Sequence, residues 1–215
     1  MTDKALVNEL QDGYDRVAEE YAKQFFDELD HKPFDRRVLD DFATAIRPGG
    51  PVCDVGCGPG QIARYLHQRG LNVCGIDISG EMLEVARKLN PGIRFQRGNM
   101  FALEDLADAS LAGIAAFYSI IHAPADRIVS TLLEWKRVLE PGGALLLTFH
   151  IGNEIVHRDE LLGKAVSLDF AFLLPGVITD HLITAGFTVD SSEERDPYPE
   201  VEYPSRRAYI RCSRP

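Results

Sequence analysis

A chain of 215 residues, 45% hydrophobic and 26% charged, is long enough to bury one substantial core and has the composition of an ordinary globular protein. A net charge of −10 without a stripe of Lys or Arg speaks against wrapping nucleic-acid phosphates. The longest apolar stretches, such as 110–122, are too short to span a bilayer. No apolar leader with a basic flank opens the chain, so no membrane association is expected and a cytoplasmic location is. Cys53, Cys57, Cys74 and Cys212 are scattered over apolar runs and a glycine turn, which suggests neither a disulfide framework nor a metal centre.

Apolar residues spaced by three and four (Val7, Leu10, Tyr14, Val17, Tyr21, Phe25) predict an amphipathic helix over 4–29, broken by Pro33 and followed by a second helix over 34–45. From there short apolar runs alternate with helical patterns. Strands are expected at 52–55, 73–77, 93–97, 111–118 and 144–150, and helices at 61–69, 79–89 and 126–139. A helical turn is expected at 103–106, and Pro141-Gly142-Gly143 reads as a turn. The alternation implies right-handed crossovers and a parallel sheet covered on both faces. Residues 151–174 show no clear period and read as an insertion over the cleft on the substrate side. A helix over 175–185 then precedes two strands, 187–191 and 207–212, joined by an acidic, Pro-rich segment and pairing as an antiparallel edge. One domain over 1–215 is expected, with residues 1–46 forming an N-terminal helical cap. Arg206, Arg207, Arg211 and Arg214 read as a solvated strand face and tail.

The most informative segment is Val52-Cys-Asp-Val-Gly-Cys-Gly-Pro-Gly60, followed by a second apolar run ending in Asp77. Gly56, Gly58 and Gly60 allow a sharp turn and close approach of the backbone to a ligand. A carboxylate at the second strand end is placed to accept hydrogen bonds from a ribose diol. The dinucleotide pattern G-x-G-x-x-G fails because position 61 is Gln, and no phosphate-binding G-x-x-x-x-G-K-[ST] loop exists. Asp54 beside the turn would repel phosphate and attract a cation. An amino acid with an ammonium group and a sulfonium centre, S-adenosylmethionine, fits better.

Here the chain resembles the class I S-adenosylmethionine-dependent methyltransferases, small-molecule type with an N-terminal helical cap, from about Tyr14 to the C-terminus. The resemblance is carried by Asp54-Val-Gly-Cys-Gly-Pro-Gly60, Asp77-Ile78-Ser79-x-x-Met82, Arg97-Gly98-Asn99-Met100, Phe117-Tyr118-Ser119-Ile120-Ile121-His122 and Val138-Leu-Glu-Pro-Gly-Gly143. It also includes Tyr14-Asp15-x-x-Ala18-x-x-Tyr21 in the cap. It implies a Rossmann-like, doubly wound sheet of seven strands, mostly parallel with the last antiparallel. It further implies that Gly56, Gly58 and Gly60 approach the methionyl moiety and Asp54 meets its ammonium. Asp77 would hold the ribose, Ile78 and Met82 would sandwich the adenine, and Tyr14 and Tyr21 would fold over the cofactor, with Tyr118 also lining its site. Asn99 stands where relatives carry Asp; its amide oxygen would take the adenine amino group, and the Met100 amide a ring nitrogen.

His122 follows the fourth strand and His150 ends the fifth, so both face the ligand crevice of such a sheet. Either imidazole could take a proton from an oxygen, nitrogen or sulfur nucleophile, or simply wall the pocket. Tyr198 and Tyr203, with Glu200 and Glu202, read equally as a substrate mouth or a solvated hairpin. The N-P-P-[YF] signature of amino-group methyltransferases is absent, Tyr118-Ser-Ile-Ile121 standing in its place, which together with the acidic charge favours a small-molecule acceptor. The expected activity is SN2 methyl transfer yielding S-adenosylhomocysteine. A non-catalytic S-adenosylmethionine sensor or partner subunit, or a methyltransferase acting on a macromolecule, are the alternatives. An open chamber beside the sulfonium would separate enzyme from sensor.

Overall fold

A computed structural model describes residues 3–215; residues 1 and 2 of the expected cap lie outside the described residues. Helix α1 (Asp3–Phe25) is shorter than the expected helix over 4–29. Arg64 donates to the Phe26 carbonyl at 2.8 Å and covers the Phe26 ring, which takes up a helix-terminal acceptor there. The chain tightens into a 3-10 turn over Glu28–His31, and α2 (Pro33–Ala45) starts with Pro in its first turn, where no amide hydrogen bond is lost.

The alternating section follows as β1 (Pro51–Val55), α3 (Gln61–Gln68), β2 (Asn72–Asp77), α4 (Gly80–Leu89), β3 (Arg94–Arg97), β4 (Leu111–Phe117), α5 (Ile128–Val138) and β5 (Leu139–His150). Residues 103–106 form one hydrogen-bonded turn, Leu106 N–H to Leu103 C=O at 2.9 Å. The expected Pro141-Gly-Gly turn is instead a bulge inside β5. Leu139 pairs with Leu111 and Ala144 with Gly113, so the strand carries extra residues there without leaving the sheet.

Residues 151–174 contain a β-hairpin, β6 (Ile155–Leu161) and β7 (Lys164–Ala171), which forms its own two-stranded sheet. Its two-residue loop, Leu162-Gly163, has φ of 52° and 76°, the left-handed pair that matches strand twist. Leu-Gly is a weak signal for such a turn, and the strands alternate polar with apolar only in part, so no period stood out. The hairpin lies on α1. Leu168 and Val166 bury against Leu10 and Val17, and a side chain at Gly13 would start 2.8 Å from Leu168. Helix α6 (Pro175–Thr184) leads to β8 (Thr188–Arg195) and β9 (Arg207–Ser213), longer than expected.

The main sheet has the order β3-β2-β1-β4-β5-β9-β8, and only β9 runs against its neighbours. Strand order reverses between β1 and β4, which opens a crevice at the carboxyl ends of these strands. One face packs on α5 and α6 around the fully buried Trp135, and the other on α2, α3 and α4 around Phe42 and Leu66. No helix of the described residues is long and apolar enough to cross a membrane.

Candidate active site

At the end of β1 the backbone turns through Gly56, Gly58 and Gly60, with φ of 74°, 50° and 84°. The amides of Gly56 and Cys57 both donate to Ile76 C=O, at 2.8 and 3.0 Å, which ties the loop to β2. A side chain at Gly56 would start 2.5 Å from Ser119, so the loop packs directly against the end of β4.

Two buried carboxylates stand behind this loop. Asp54, 1% exposed, accepts from the Ala63 amide in the first turn of α3 at 3.0 Å. Burial, then the neighbouring Asp77 charge, push its carboxyl up to about 8 against that hydrogen bond. Asp77 accepts from the amides of Gly58 at 2.8 Å and Ser79 at 2.9 Å, and burial raises its carboxyl as well. Both carboxylates keep lone pairs beyond these amide hydrogen bonds. Gln61 adds a buried amide oxygen with no hydrogen-bond partner, while its nitrogen donates to Glu28 at 3.1 Å.

Beyond Asp77 an apolar slot is walled by Leu10, Ile78, Met82, Met100 and Phe101. Asn99 borders it, but its side-chain oxygen already accepts from the Phe101 amide at 3.0 Å, leaving one lone pair for a ligand. Trp135 holds the Met100 carbonyl from behind at 2.8 Å.

The slot continues into a larger cavity of about 380 Å³. That falls within the roughly 300–1,000 Å³ of small-molecule sites. Tyr14 and Tyr21 line both spaces and sit edge to face, 6.3 Å apart. Tyr118 has φ 54°, unusual for a bulky residue, and this backbone ends β4 one residue earlier than expected. Its ring stands 4.8 Å from that of His150.

The two histidines differ. His122 joins three elements: its Nδ1 lies 2.9 Å from Asp169 C=O on β7 and its Nε2 2.6 Å from the Tyr14 hydroxyl on α1. A carbonyl can only accept, so Nδ1 carries the hydrogen and Nε2 accepts from Tyr14. Burial pushes this imidazole down to about 4 and keeps it neutral. His150 stacks on Phe172 and bonds Ser205 Oγ through Nδ1 at 2.7 Å. Burial, then the charges of Arg207 and Lys32, bring it also to about 4.

The far wall holds residues that motif reading missed. Arg207 is no part of a solvated face: it is 2% exposed, donates to the carbonyls of Ser205 and Tyr203, and pairs with Glu202 at 3.2 Å. Glu202 also takes Arg195 at 2.6 Å and Lys32 at 3.2 Å. Burial alone would raise its carboxyl; Arg195 and the other partners hold it down at about 2. Asp35 takes the other side of Arg195 at 2.6 Å. The acidic 193–204 segment is therefore split. Glu202 and Tyr203 line the cavity, Glu200 is exposed, and Tyr198 turns away to accept the Phe34 amide at 3.1 Å. The spacing Lys32…Arg195…Glu202…Arg207 carries no local pattern, so nothing short-range could have revealed it. Among the described residues no group of His, Cys, Asp or Glu converges as a metal set would.

Residues 52–143 match a family model described as a methyltransferase domain. A malonyl-[acyl-carrier protein] O-methyltransferase of Pectobacterium atrosepticum is 33% identical over 113 residues, covering 51% of this chain and 44% of the relative. A trans-aconitate 2-methyltransferase of Rhizobium meliloti is 33% identical over 100 residues, covering 46% of this chain and 37% of the relative. The chain thus spans less than half the length of either relative. The solved DhpI–SAH complex superposes with a TM-score of 0.75 over 100% of both chains at 22% identity, a likeness of fold.

Proposed function

Residues 52–143 belong to the methyltransferase-domain family and the chain carries the class I S-adenosylmethionine-dependent fold, and on that premise we propose that it methylates a small molecule in the cavity beside its glycine loop. The observation that carries this is continuity: the acidic glycine-loop cleft opens into an aromatic-walled chamber at Tyr118, His150, Phe172 and Tyr203. A sensor needs only the cleft. The two relatives are named for methyl transfer to malonyl-[acyl-carrier protein] and to trans-aconitate, in keeping with an acceptor of modest size at the reacting end.

The residues fit the methyl donor. Gln61 Oε1 is a buried acceptor without a partner at the cleft end, the hydroxyls of Tyr118 and Ser119 are unpartnered beside it, and Asp54 and Asp77 add carboxylates. No Lys or Arg stands within residues 54–61 to hold a pyrophosphate. S-adenosylmethionine supplies a methyl already activated by the sulfonium, so the protein chiefly aligns the acceptor and excludes water. Asp77 binds the ribose hydroxyls with the lone pairs that Gly58 and Ser79 leave free. Asp54 and Gln61 face the ammonium, Ile78 and Met82 clasp the adenine, and Asn99 and Met100 meet its edge. Tyr14 and Tyr21 close over the loop. His122 pins Tyr14 and the hairpin together; its lone pair is engaged and takes no proton from the acceptor.

Calorimetry tests the donor. Wild type should bind S-adenosylmethionine and not NAD, and Asp77→Ala should weaken binding more than tenfold, about 1.4 kcal/mol or above. Tight NAD binding in its place would overturn the proposal, and an unchanged affinity in folded Asp77→Ala would remove the ribose assignment.

A further inference from the structure

The cavity is polar at both ends, with opposite character. Toward the glycine loop Gln61 Oε1 is a buried acceptor without a partner, with the unpartnered hydroxyls of Tyr118 and Ser119 beside it. Toward β9 a donor is unpartnered: the Arg207 Nε lies 3.2 Å from Glu202 but off the line of its N–H, and makes no hydrogen bond. Lys32, 7% exposed, lines the same wall; two of its ammonium hydrogens are matched by Glu28 at 2.5 Å and Glu202 at 3.2 Å, and a third remains. Arg158 on β6 stands at the mouth over the Tyr203 ring, 5.7 Å away. The acids in this region are Glu202, shared by Lys32, Arg195 and Arg207, Asp35 behind Arg195, Glu28 at the rim, Glu160 on the exposed hairpin and Asp54 at the glycine-loop end.

A second observation concerns proton acceptors. The His122 lone pair is occupied by Tyr14. The His150 imidazole, at about 4, is too weak a base to hold a proton at neutral pH, and the charges of Arg207 and Lys32 contribute to that shift. Lys32 and Arg207 thus add positive potential at the His150 ring, opposed by Glu202. An alcohol or ammonium acceptor would have to lose a proton to one of these rings; an oxyanion would not.

Resting on the methyltransferase reading, we infer that the acceptor is an organic acid with a flat apolar body, its oxyanion drawn to Lys32 and Arg207 and its body held among Tyr118, His150, Phe172 and Tyr203. In the reaction a lone pair of the acid's oxygen forms the new C–O bond as the methyl's C–S bond breaks onto sulfur. The oxyanion becomes a neutral ester, the sulfonium a neutral thioether, and no proton moves. The ester product loses the charge that drew the acid in, which favours its release.

Protein saturated with S-adenosylhomocysteine would be titrated with benzoate, phenylphosphonate, benzamide and benzylamine, probes that share a ring and differ in charge. Benzoate or phenylphosphonate should bind at least tenfold more tightly than benzamide, and the stronger of the two tells a carboxylate from a phosphonate site. Lys32→Met should bring that acid to within threefold of benzamide while the S-adenosylhomocysteine affinity moves less than threefold. Arg158→Ala, on the exposed hairpin, should cost the acid about threefold through charge alone, and serves if the Lys32 variant does not fold. Equal binding of acid and amide, or preference for benzylamine, would overturn the inference. Failure to bind S-adenosylhomocysteine at all would instead strike the methyltransferase reading beneath it.

Discussion

The two halves of the cavity are built by different means. The cofactor half is a backbone construction: three left-handed glycines, amides tied to Ile76, and two carboxylates capped by the amides of Ala63, Gly58 and Ser79. The half proposed for the acceptor is a side-chain construction, in which α2, the 193–204 segment and β9 meet through Lys32, Asp35, Arg195, Glu202 and Arg207. Backbone sites need particular residue types at fixed spacing. Ion-pair sites need only complementary charges that the fold brings together.

Glu202→Ala should separate the halves most sharply. It leaves Lys32, Arg195 and Arg207 facing one another without their shared carboxylate, and loss of one partner from a buried pair destabilises by about 3–5 kcal/mol. Urea unfolding should show a loss of this size, and a loss under 1 kcal/mol would mean that the cluster is solvated. The same group sets an acid limit. Its folded value near 2 lies below the ordinary 4.5, so its stabilisation is complete above 4.5 and fades as pH falls toward 2.

Gly56→Ala strikes the other half. With φ 74° and Ser119 only 2.5 Å from the added carbon, the loop must move. Backbone strain of this kind costs of order 1–3 kcal/mol, and S-adenosylmethionine binding should fall at least tenfold while unfolding stays cooperative. Unchanged affinity would show that the ligand does not rest on the loop.

Asp54 responds to pH in the sense opposite to Glu202. Its folded value of about 8 exceeds the ordinary 3.8, so its contribution to folding stability falls as pH rises from 3.8 to about 8, and near neutrality the empty site holds it mostly protonated. A cationic ligand restores the ionised form, so binding near neutrality should release a proton. Affinity for S-adenosylmethionine should then rise by up to about tenfold per pH unit between roughly pH 6 and 8. Calorimetry in buffers of different ionisation enthalpy reads the proton directly; no release would place Asp54 ionised in the empty site.

What could be read from the sequence follows this division. Gly56, Gly58, Gly60, Asp54 and Asp77 announce themselves because turn geometry and strand ends demand them locally, and the parallel strands follow from alternation of apolar runs. Arg207 looked like one of several late arginines because its burial depends on Glu202 and Lys32, the latter far away in sequence. The hairpin over 155–171 escaped because its outer face is solvated, its inner face meets only α1 and the His122 turn after β4, and Leu162 occupies a turn position where Asn or Gly is usual. His122 lines the crevice, and its partners Tyr14 and Asp169 come from two separate elements that no local pattern joins.

Those partners make His122 the joint between the halves, and Tyr14→Phe is the mildest way to test it. The substitution keeps the ring against Tyr21 and removes only the hydroxyl that donates to His122. A net hydrogen bond is worth about 0.5–1.5 kcal/mol, so the affinity for S-adenosylmethionine should drop roughly three- to tenfold with global stability changed by no more than that amount. Because the hairpin reaches the cap through the same imidazole, the lost affinity should be expressed as faster dissociation, together with faster amide exchange along β7 around Asp169. Faster dissociation with β7 exchange unchanged would uncouple the two halves, leaving Tyr14 as a wall of the cofactor slot and His122 as a fixture of the strand end.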